Sequence, residues 1–447
     1  MNMRFHVVAL PHTQTSKHHN LCAYTMKVFN FCWMMHSLGH EVYHYGAEGS
    51  EVDGICTEHI EIISRKEQEE FFGEENLLNF YPLDWDPNKL HWQLTNHRAA
   101  VEITKRKQKG DFICIIAGWC NHALAEAVNK NKDVIVVEYG IGYDGSFADY
   151  RVFESYSHMH KVYGAQKGFD PDGRWYDVVI PNYFDPEDFP PKFEKGDYYL
   201  FIGRLIKRKG LEVAVETCNR IGAKLVIVGQ GCKAIRPGEI ETQEGDIYRG
   251  PGLSYEGIAN LDRRKALYQN AIATFVPTIY IEPFGGVAVE SQMCGTPVIT
   301  TDYGAFTETV EHGITGYRCR TLDHFVFATK HVRELDLKYI HNRAVANYST
   351  DRVRYMYQEY FQMLSDIDSS KGWYTERERK QLDWLVKRNA VNTDNQPPYD
   401  GEIERINGSE VNSITAFSSS DSNHAKKTIH VKCPNPCRNN KPLRIGT

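Results

Sequence analysis

Along the first half of the chain, short apolar, β-branched runs alternate with segments whose apolar positions recur every three or four residues. Residues 5–10 (FHVVAL) form such a run and predict a strand. Residues 24–38 place Val28, Phe29, Cys32, Met35 and Leu38 at helical spacing. Gly39 is a natural stop, and residues 41–43 resume a strand. Residues 112–116 and 134–137 read as further strands, with a helix at 123–128 between them. This alternation predicts a parallel sheet with helices on both faces. The segment 181–197, PNYFDPEDFPPKFEKGD, breaks the pattern with proline and aspartate and reads as a linker. A second series follows, with strands at 199–202, 224–228, 273–276 and 297–300 and helices at 211–221, 262–270 and 287–294.

The expected fold is therefore α/β, with two Rossmann-like doubly wound domains facing a cleft and a polar C-terminal tail. The expected boundaries are 1–182 for the first domain, 183–197 for the linker and 198–350 for the second domain. Residues 351–368, with an aromatic-rich helix at 352–364, are expected to return and brace the first domain. Residues 369–447 form an extension, with a helical pattern at 376–387 and a polar, aperiodic stretch from 392 onward that reads as disordered.

Length and composition agree with this picture and remove several classes of function. A chain of 447 residues exceeds what one hydrophobic core usually serves. Apolar residues at 41% and charged residues at 25% suit a globular enzyme, and a formal charge of -6 provides no basic excess to hold nucleic acid. No apolar run is long enough to span a bilayer. The helix at 24–38 carries Phe29, Trp33, Met34 and Met35, but its polar face has no basic cluster. Core packing explains it better than peripheral membrane contact, and an integral protein is not expected. The opening residues read as a strand rather than a signal peptide. Of eleven cysteines, Cys22, Cys32, Cys114, Cys218 and Cys294 lie in apolar or helical stretches, as small hydrophobes do. A reduced, cytoplasmic setting is expected, where the sequons at Asn347 and Asn407 carry little meaning. Cys433 and Cys437 lie near His424 and His430 but lack the spacing of a zinc site.

The sharpest chemistry is Glu282-PFGGVAV-Glu290. Gly285 and Gly286 open the helix that carries Glu290, and a glycine-opened helix N-terminus presents free N–H groups and a positive dipole end to a phosphate. One carboxylate before the helix and one within it can bind hydroxyls on either side of a diphosphate. A nucleotide sugar has hydroxyls on both sides. The second feature is Gly203-Arg204-Leu205 with Lys209-Gly210, directly after a strand. Cations at a strand's carboxyl end face the ligand crevice of an open α/β sheet, where they can neutralise a departing diphosphate. Two weaker signals are set aside. Gly229-Gln230-Gly231-Cys232-Lys233-Ala234 fits a dinucleotide fingerprint, but IRPGEIETQEGD after it cannot start the required helix. Acidic D-x-D triplets at Asp84, Asp170 and Asp366 occur as chance features of turns and a helix end, so no metal is expected.

FIGRLIKRKG, KLVIVGQG, the E-x7-E pair and GTPVITTDYGAFTETVEHGITGY together resemble the C-terminal domain of glycosyltransferase family four, and PNYFDPEDF resembles its interdomain segment. The resemblance spans roughly residues 1–365 and is specific in the second domain. It implies the GT-B fold, a retaining transfer from a UDP- or GDP-linked sugar to a glycan or other hydroxyl acceptor, and no cofactor or essential metal. By motif it implies that Arg204 and Lys209 grip the diphosphate and that Glu290 binds the ribose. Glu282, with the backbone of Phe284, Gly285, Gly286 and Val287, would hold the donor sugar and phosphate. The first domain departs from the family at Pro11-His12-Thr13, at Ala117-Gly118-Trp119 and at Glu138-Tyr139-Gly140, which leaves His122, Glu138 and His12 as its candidate site residues. A nucleotide-sugar 2-epimerase of similar architecture and a sugar-binding scaffold without activity are the alternatives.

Overall fold

A computed structural model describes residues 2–75, 81, 83–166 and 172–371, all within one compact unit, Met1–Arg388. The expectations for residues 376–387, for the polar tail and for Cys433 and Cys437 lie outside the described residues.

Two parallel sheets dominate. The first has strands β1 (Arg4–Val8), β2 (Glu41–Ala47), β3 (Glu58–Ile63), β4 (Phe112–Ile115), β5 (Ile135–Ile141), β6 (Tyr150–Phe153) and β7 (Val178–Val179). Their order is β3-β2-β1-β4-β5-β6-β7, so the sheet is doubly wound and reverses between β1 and β4. Helices α1 (Ala23–Ser37), α2 (Arg65–Phe72), α3 (Leu90–Arg106), α4 (His122–Val128) and α5 (Tyr156–Gly164) lie in its crossovers.

The second sheet uses β8 (Tyr198–Ile202) and β9 (Lys224–Val228). A small antiparallel sheet of β10 (Cys232–Arg236), β11 (Glu239–Thr242) and β12 (Ile247–Arg249) is inserted next. Then come β13 (Leu253–Tyr255), β14 (Thr274–Val276), β15 (Val298–Thr301) and β16 (Gly316–Cys319), in the order β13-β9-β8-β14-β15-β16. The arrangement repeats that of the first sheet, with the reversal between β8 and β14. The helices here are α6 (Leu211–Ile221), α7 (Leu261–Asn270), α8 (Gly286–Met293), α9 (Phe306–Thr309), α10 (Leu322–His331) and α11 (Leu337–Tyr348).

The segment after Gly231 forms β10 where the dinucleotide fingerprint would need a helix, so that reading fails on structure as well as on sequence. Pro237 and Gly238, with φ at +69°, turn β10 into β11.

The final helix α12 (Thr350–Asp368) is amphipathic, and its apolar face joins the core of the first sheet. Phe361 meets Phe5 and Phe112 edge-on, each at 4.8 Å between ring centroids. Chain crossings between the sheets are side by side. The N–H of Phe184 donates to the carbonyl of Tyr348, and that of Thr350 donates to the carbonyl of Phe184, both at 2.9 Å.

Candidate active site

The carboxyl ends of β8 and β14 frame a recess at the reversal point of the second sheet. It is lined by Gly203, Lys209, Val276, Thr278, Glu282, Gly285, Gly286 and Val287 among others. After β8, residues 203–206 lead into one turn of 3-10 helix, Lys207–Lys209, closed by Gly210 with φ at +75°. A Cβ at Gly210 would lie 2.0 Å from the carbonyl oxygen of Pro277, so only glycine lets this loop reach the end of β14. That approach brings Lys209 over the recess.

Lys209 Nζ donates to Glu282 Oε2 at 3.0 Å and to the Tyr280 hydroxyl at 2.7 Å. The Tyr280 ring also carries the Arg208 guanidinium, 4.7 Å from its centroid. Burial and the carboxylate of Glu282 raise the Tyr280 phenol far above its ordinary range, so it stays protonated. Arg204 is exposed, and its charge acts on the same phenol. Two of the three ammonium protons of Lys209 are thus used, which leaves one to meet a ligand oxygen.

Gly285 caps the start of α8 in the left-handed conformation, φ +79°. A Cβ there would lie 2.6 Å from the Phe306 ring. Gly286 begins the helix, and the first-turn N–H groups open toward the recess. Phe284 is buried against Phe184 and Tyr348, so its side chain anchors the loop. Glu290 sits four residues past Gly286, just over one turn along α8. It accepts the Tyr268 hydroxyl at 2.8 Å and lies 3.8 Å from Arg264. Glu290 therefore lies with Tyr268 and Arg264, apart from the Lys209–Glu282 pair, and is not among the residues that line the recess.

The first-domain candidates separate. Glu138 is wholly buried on β5, and its Oε2 accepts the N–H groups of Phe147 and Ala148 at 2.7 and 2.8 Å. Its Oε1 accepts the Tyr143 hydroxyl at 3.2 Å. Burial pushes this carboxyl up to about 7 against the pull of those bonds. Glu138 thus holds the 142–148 loop through both carboxylate oxygens and does not line the recess that holds Lys209. His122 opens α4, lies tilted against Trp119 with ring centroids 4.5 Å apart and pairs with Glu126 of its own helix at 3.5 Å. His12 lies 6% exposed in a different recess, between the loop after β1 and α2. Neither histidine lines the recess that holds Lys209.

The structure adds residues that the sequence reading passed over. Ser155, the cap of α5, donates its hydroxyl to the carbonyl of Pro283 at 2.6 Å. Glu308 accepts the N–H groups of Tyr156 and Ser157 at 2.9 and 2.8 Å, clamping the amino end of the same helix. Lys17 reaches Asp185 and Asp188 at 2.8 and 3.4 Å. The Ser155 and Glu308 contacts join the start of α5 to the loops after β14 and β15, and Lys17 joins the loop after β1 to the linker. Glu308 lies within the quoted GAFTETV run, and Ser155 is a helix-capping residue type directly after a strand. Among the described residues no group of three or more histidine, cysteine or acidic side chains is placed to hold a metal ion. No described helix is long and apolar enough to cross a membrane.

A family profile described as glycosyl transferases group 1 matches residues 185–330. An uncharacterised glycosyltransferase of Methanocaldococcus jannaschii is 35% identical over 121 residues, 26% of this chain and 30% of that one. A D-inositol 3-phosphate glycosyltransferase of Acidothermus cellulolyticus is 33% identical over 132 residues, 27% of this chain and 29% of that one. The aligned part thus spans about three tenths of the length of these curated relatives. The crystal structure of the Anabaena protein HepE in complex with UDP and glucose superposes with a TM-score of 0.56 at 12% identity, covering 81% of this chain and all of that one. The segment matched by the group 1 profile carries Lys209, Glu282 and the opening of α8, and the chain shares its two-sheet fold with that solved structure.

Proposed function

We propose that this chain is a retaining glycosyltransferase that moves a sugar from a UDP- or GDP-linked donor to a hydroxyl of a glycan or glycoconjugate, without a metal. The observation that carries the reading is the union of Lys209 and Glu282 at the glycine-opened end of α8, at the reversal point of a doubly wound sheet. The group 1 profile over this segment supports it, as does the shared fold of a protein that holds UDP and glucose.

In this reading the donor diphosphate lies on the first-turn N–H groups of α8, with Lys209 and Arg204 on its oxygens. Glu290 receives the ribose and Glu282 the sugar hydroxyls. The acceptor oxygen bonds to the anomeric carbon on the face from which the phosphate leaves. The carbon–oxygen bond to phosphate breaks, and the leaving phosphate oxygen takes the acceptor's proton. Fixed positive charge on that leaving group is the main catalytic contribution. The free cysteines of the described residues suit a reducing cytoplasm.

The test is a melting-temperature panel of UDP, GDP, ADP and their sugar conjugates with EDTA throughout. A ligand bound only to the folded chain raises the melting temperature. The expected result is a rise with one base that EDTA leaves intact and Arg204→Ala abolishes. No rise with any nucleotide overturns the reading.

A further inference from the structure

The small sheet β10–β12, inserted between β9 and β13, brings a side chain onto the loop that carries Lys209. Its turn from β11 to β12 is closed on itself. The N–H of Thr242 donates to the carbonyl of Asp246 at 2.9 Å, and that of Gly245 donates to the carbonyl of Thr242 at 3.0 Å. The N–H of Asp246 donates to the Thr242 hydroxyl at 3.2 Å. The sheet is anchored as well. Ile240 is buried in a core of the second domain, and Tyr248 packs against that core. The Asn219 side chain of α6 donates to the carbonyl of Arg249 at 2.7 Å. The N–H of Gln243 donates to the carbonyl of Gly231 at 2.7 Å, which sets the turn beside the end of β9. Glu244 is therefore presented from a fixed platform.

Glu244 accepts the N–H of Lys207 at 2.7 Å. Lys207 begins the 3-10 turn that ends in Lys209, and Ile206, at the cap position, has no side-chain oxygen to offer. Glu244 supplies that cap from 37 residues away. The turn gains from it, because Lys207, Arg208 and Lys209 place three cations where the N–H end of a helical turn disfavours them. Two other bonds hold the same loop. The N–H of Leu205 donates to the carbonyl of Gln230 at 2.7 Å, and that of Ile279 donates to the carbonyl of Arg208 at 2.9 Å. Of these three bonds only the one to Glu244 uses a side chain.

By charge alone Glu244 works against donor binding. An exposed carboxylate on the loop of Arg204 and Lys209 repels an arriving diphosphate. Its place is explained by the backbone it holds. We propose that Glu244 is a positioning residue for donor binding, which fixes the turn 207–209 and through it the Lys209 ammonium over the recess. The inference rests on the transferase reading, which puts the donor diphosphate at Lys209. Without the cap the loop samples other conformations, and a ligand that needs one of them binds with lower apparent affinity.

The experiment measures Kd for UDP and GDP by calorimetric titration of the full chain as wild type, Glu244→Ala and Glu244→Gln. Glutamine keeps an oxygen for the Lys207 N–H and removes the charge, whereas alanine removes both. Position and charge thus act with opposite sign. Glu244→Ala is expected to weaken the nucleotide by about fivefold, the effect of one lost cap, and Glu244→Gln to bind within about twofold of wild type or more tightly. Without nucleotide both variants melt near wild type, since the side chain is exposed. The inference is overturned if Glu244→Ala binds as tightly as wild type or more tightly, which leaves charge as the only effect. It is also overturned if Glu244→Gln is weakened as much as Glu244→Ala. A wild-type chain that binds neither nucleotide counts instead against the transferase reading, so the two failures are told apart.

Discussion

Ser155 of the first domain donates its hydroxyl to the backbone carbonyl of Pro283, the residue that follows Glu282. The bond ties the amino end of α5 to the loop that opens α8. Loss of one such bond is worth about 1 kcal/mol, close to a fivefold effect. Ser155→Ala is expected to lower kcat/KM by about that factor with the melting temperature nearly unchanged. Glu308→Gln weakens charge-assisted bonds to the same helix end and should cut kcat/KM further. Steady-state kinetics on both variants check this.

Lys209 and Glu282 are expected to act as a unit. Lys209→Ala removes the cation from the leaving group and leaves Glu282 without its 3.0 Å partner. Turnover should fall on the order of 10²–10³-fold. Glu282→Ala should cost a similar factor, and the double variant much less than the product of the two. Single-turnover rates for the four proteins measure that coupling.

Gly285→Ala forces a side chain into the left-handed region, which costs roughly 1–2 kcal/mol. It also sets a Cβ 2.6 Å from the Phe306 ring. The start of α8 must then shift, and the nucleotide-induced rise in melting temperature should vanish while the chain stays folded.

Much of this was legible in the sequence, but for uneven reasons. The β-branched runs of β1, β4, β8 and β9 fall where sequence placed them, because strands buried on both faces are continuously apolar. The Glu282–Glu290 segment was legible because two adjacent glycines at a helix start have few structural explanations. The setting of Glu138 was not legible, because its partners include backbone N–H groups nine and ten residues on. No pattern of side chains announces such partners. The β10–β12 sheet was missed because its strands are short and its outer face is charged, which leaves only Ile240 and Thr242 as buried positions in β11.

Glu138 also has a pH signature. Its folded carboxyl ionises at about 7, above the unfolded value of about 4.3. The folded state therefore holds a proton that the unfolded state has lost. The resulting stability is full below about pH 4.3 and is lost as pH rises through about 7, on the order of 3 kcal/mol in all. Glu138→Gln should flatten that decline and leave kcat near wild type, since the residue lies outside the recess that holds Lys209. Urea unfolding between pH 5 and 8 reads the slope.

The pair Lys27 and Glu154 is buried beside the cleft, and Lys27 Nζ also donates to the carbonyl of Gly140 at 3.0 Å. Lys27→Met strands the Glu154 carboxylate and should destabilise the chain by about 3–5 kcal/mol. Lys27→Met with Glu154→Gln should recover most of that loss, as equilibrium unfolding would show.

The paired crossings at Phe184 and Thr350 have a topological consequence. Everything from β8 through α11 leaves the first domain and re-enters it through hydrogen-bonded neighbours. The donor-side half is thus a closed loop of chain plugged into its host at a single socket. A swap of residues 185–349 between relatives would exchange the whole second sheet while cutting the backbone at only one place in space.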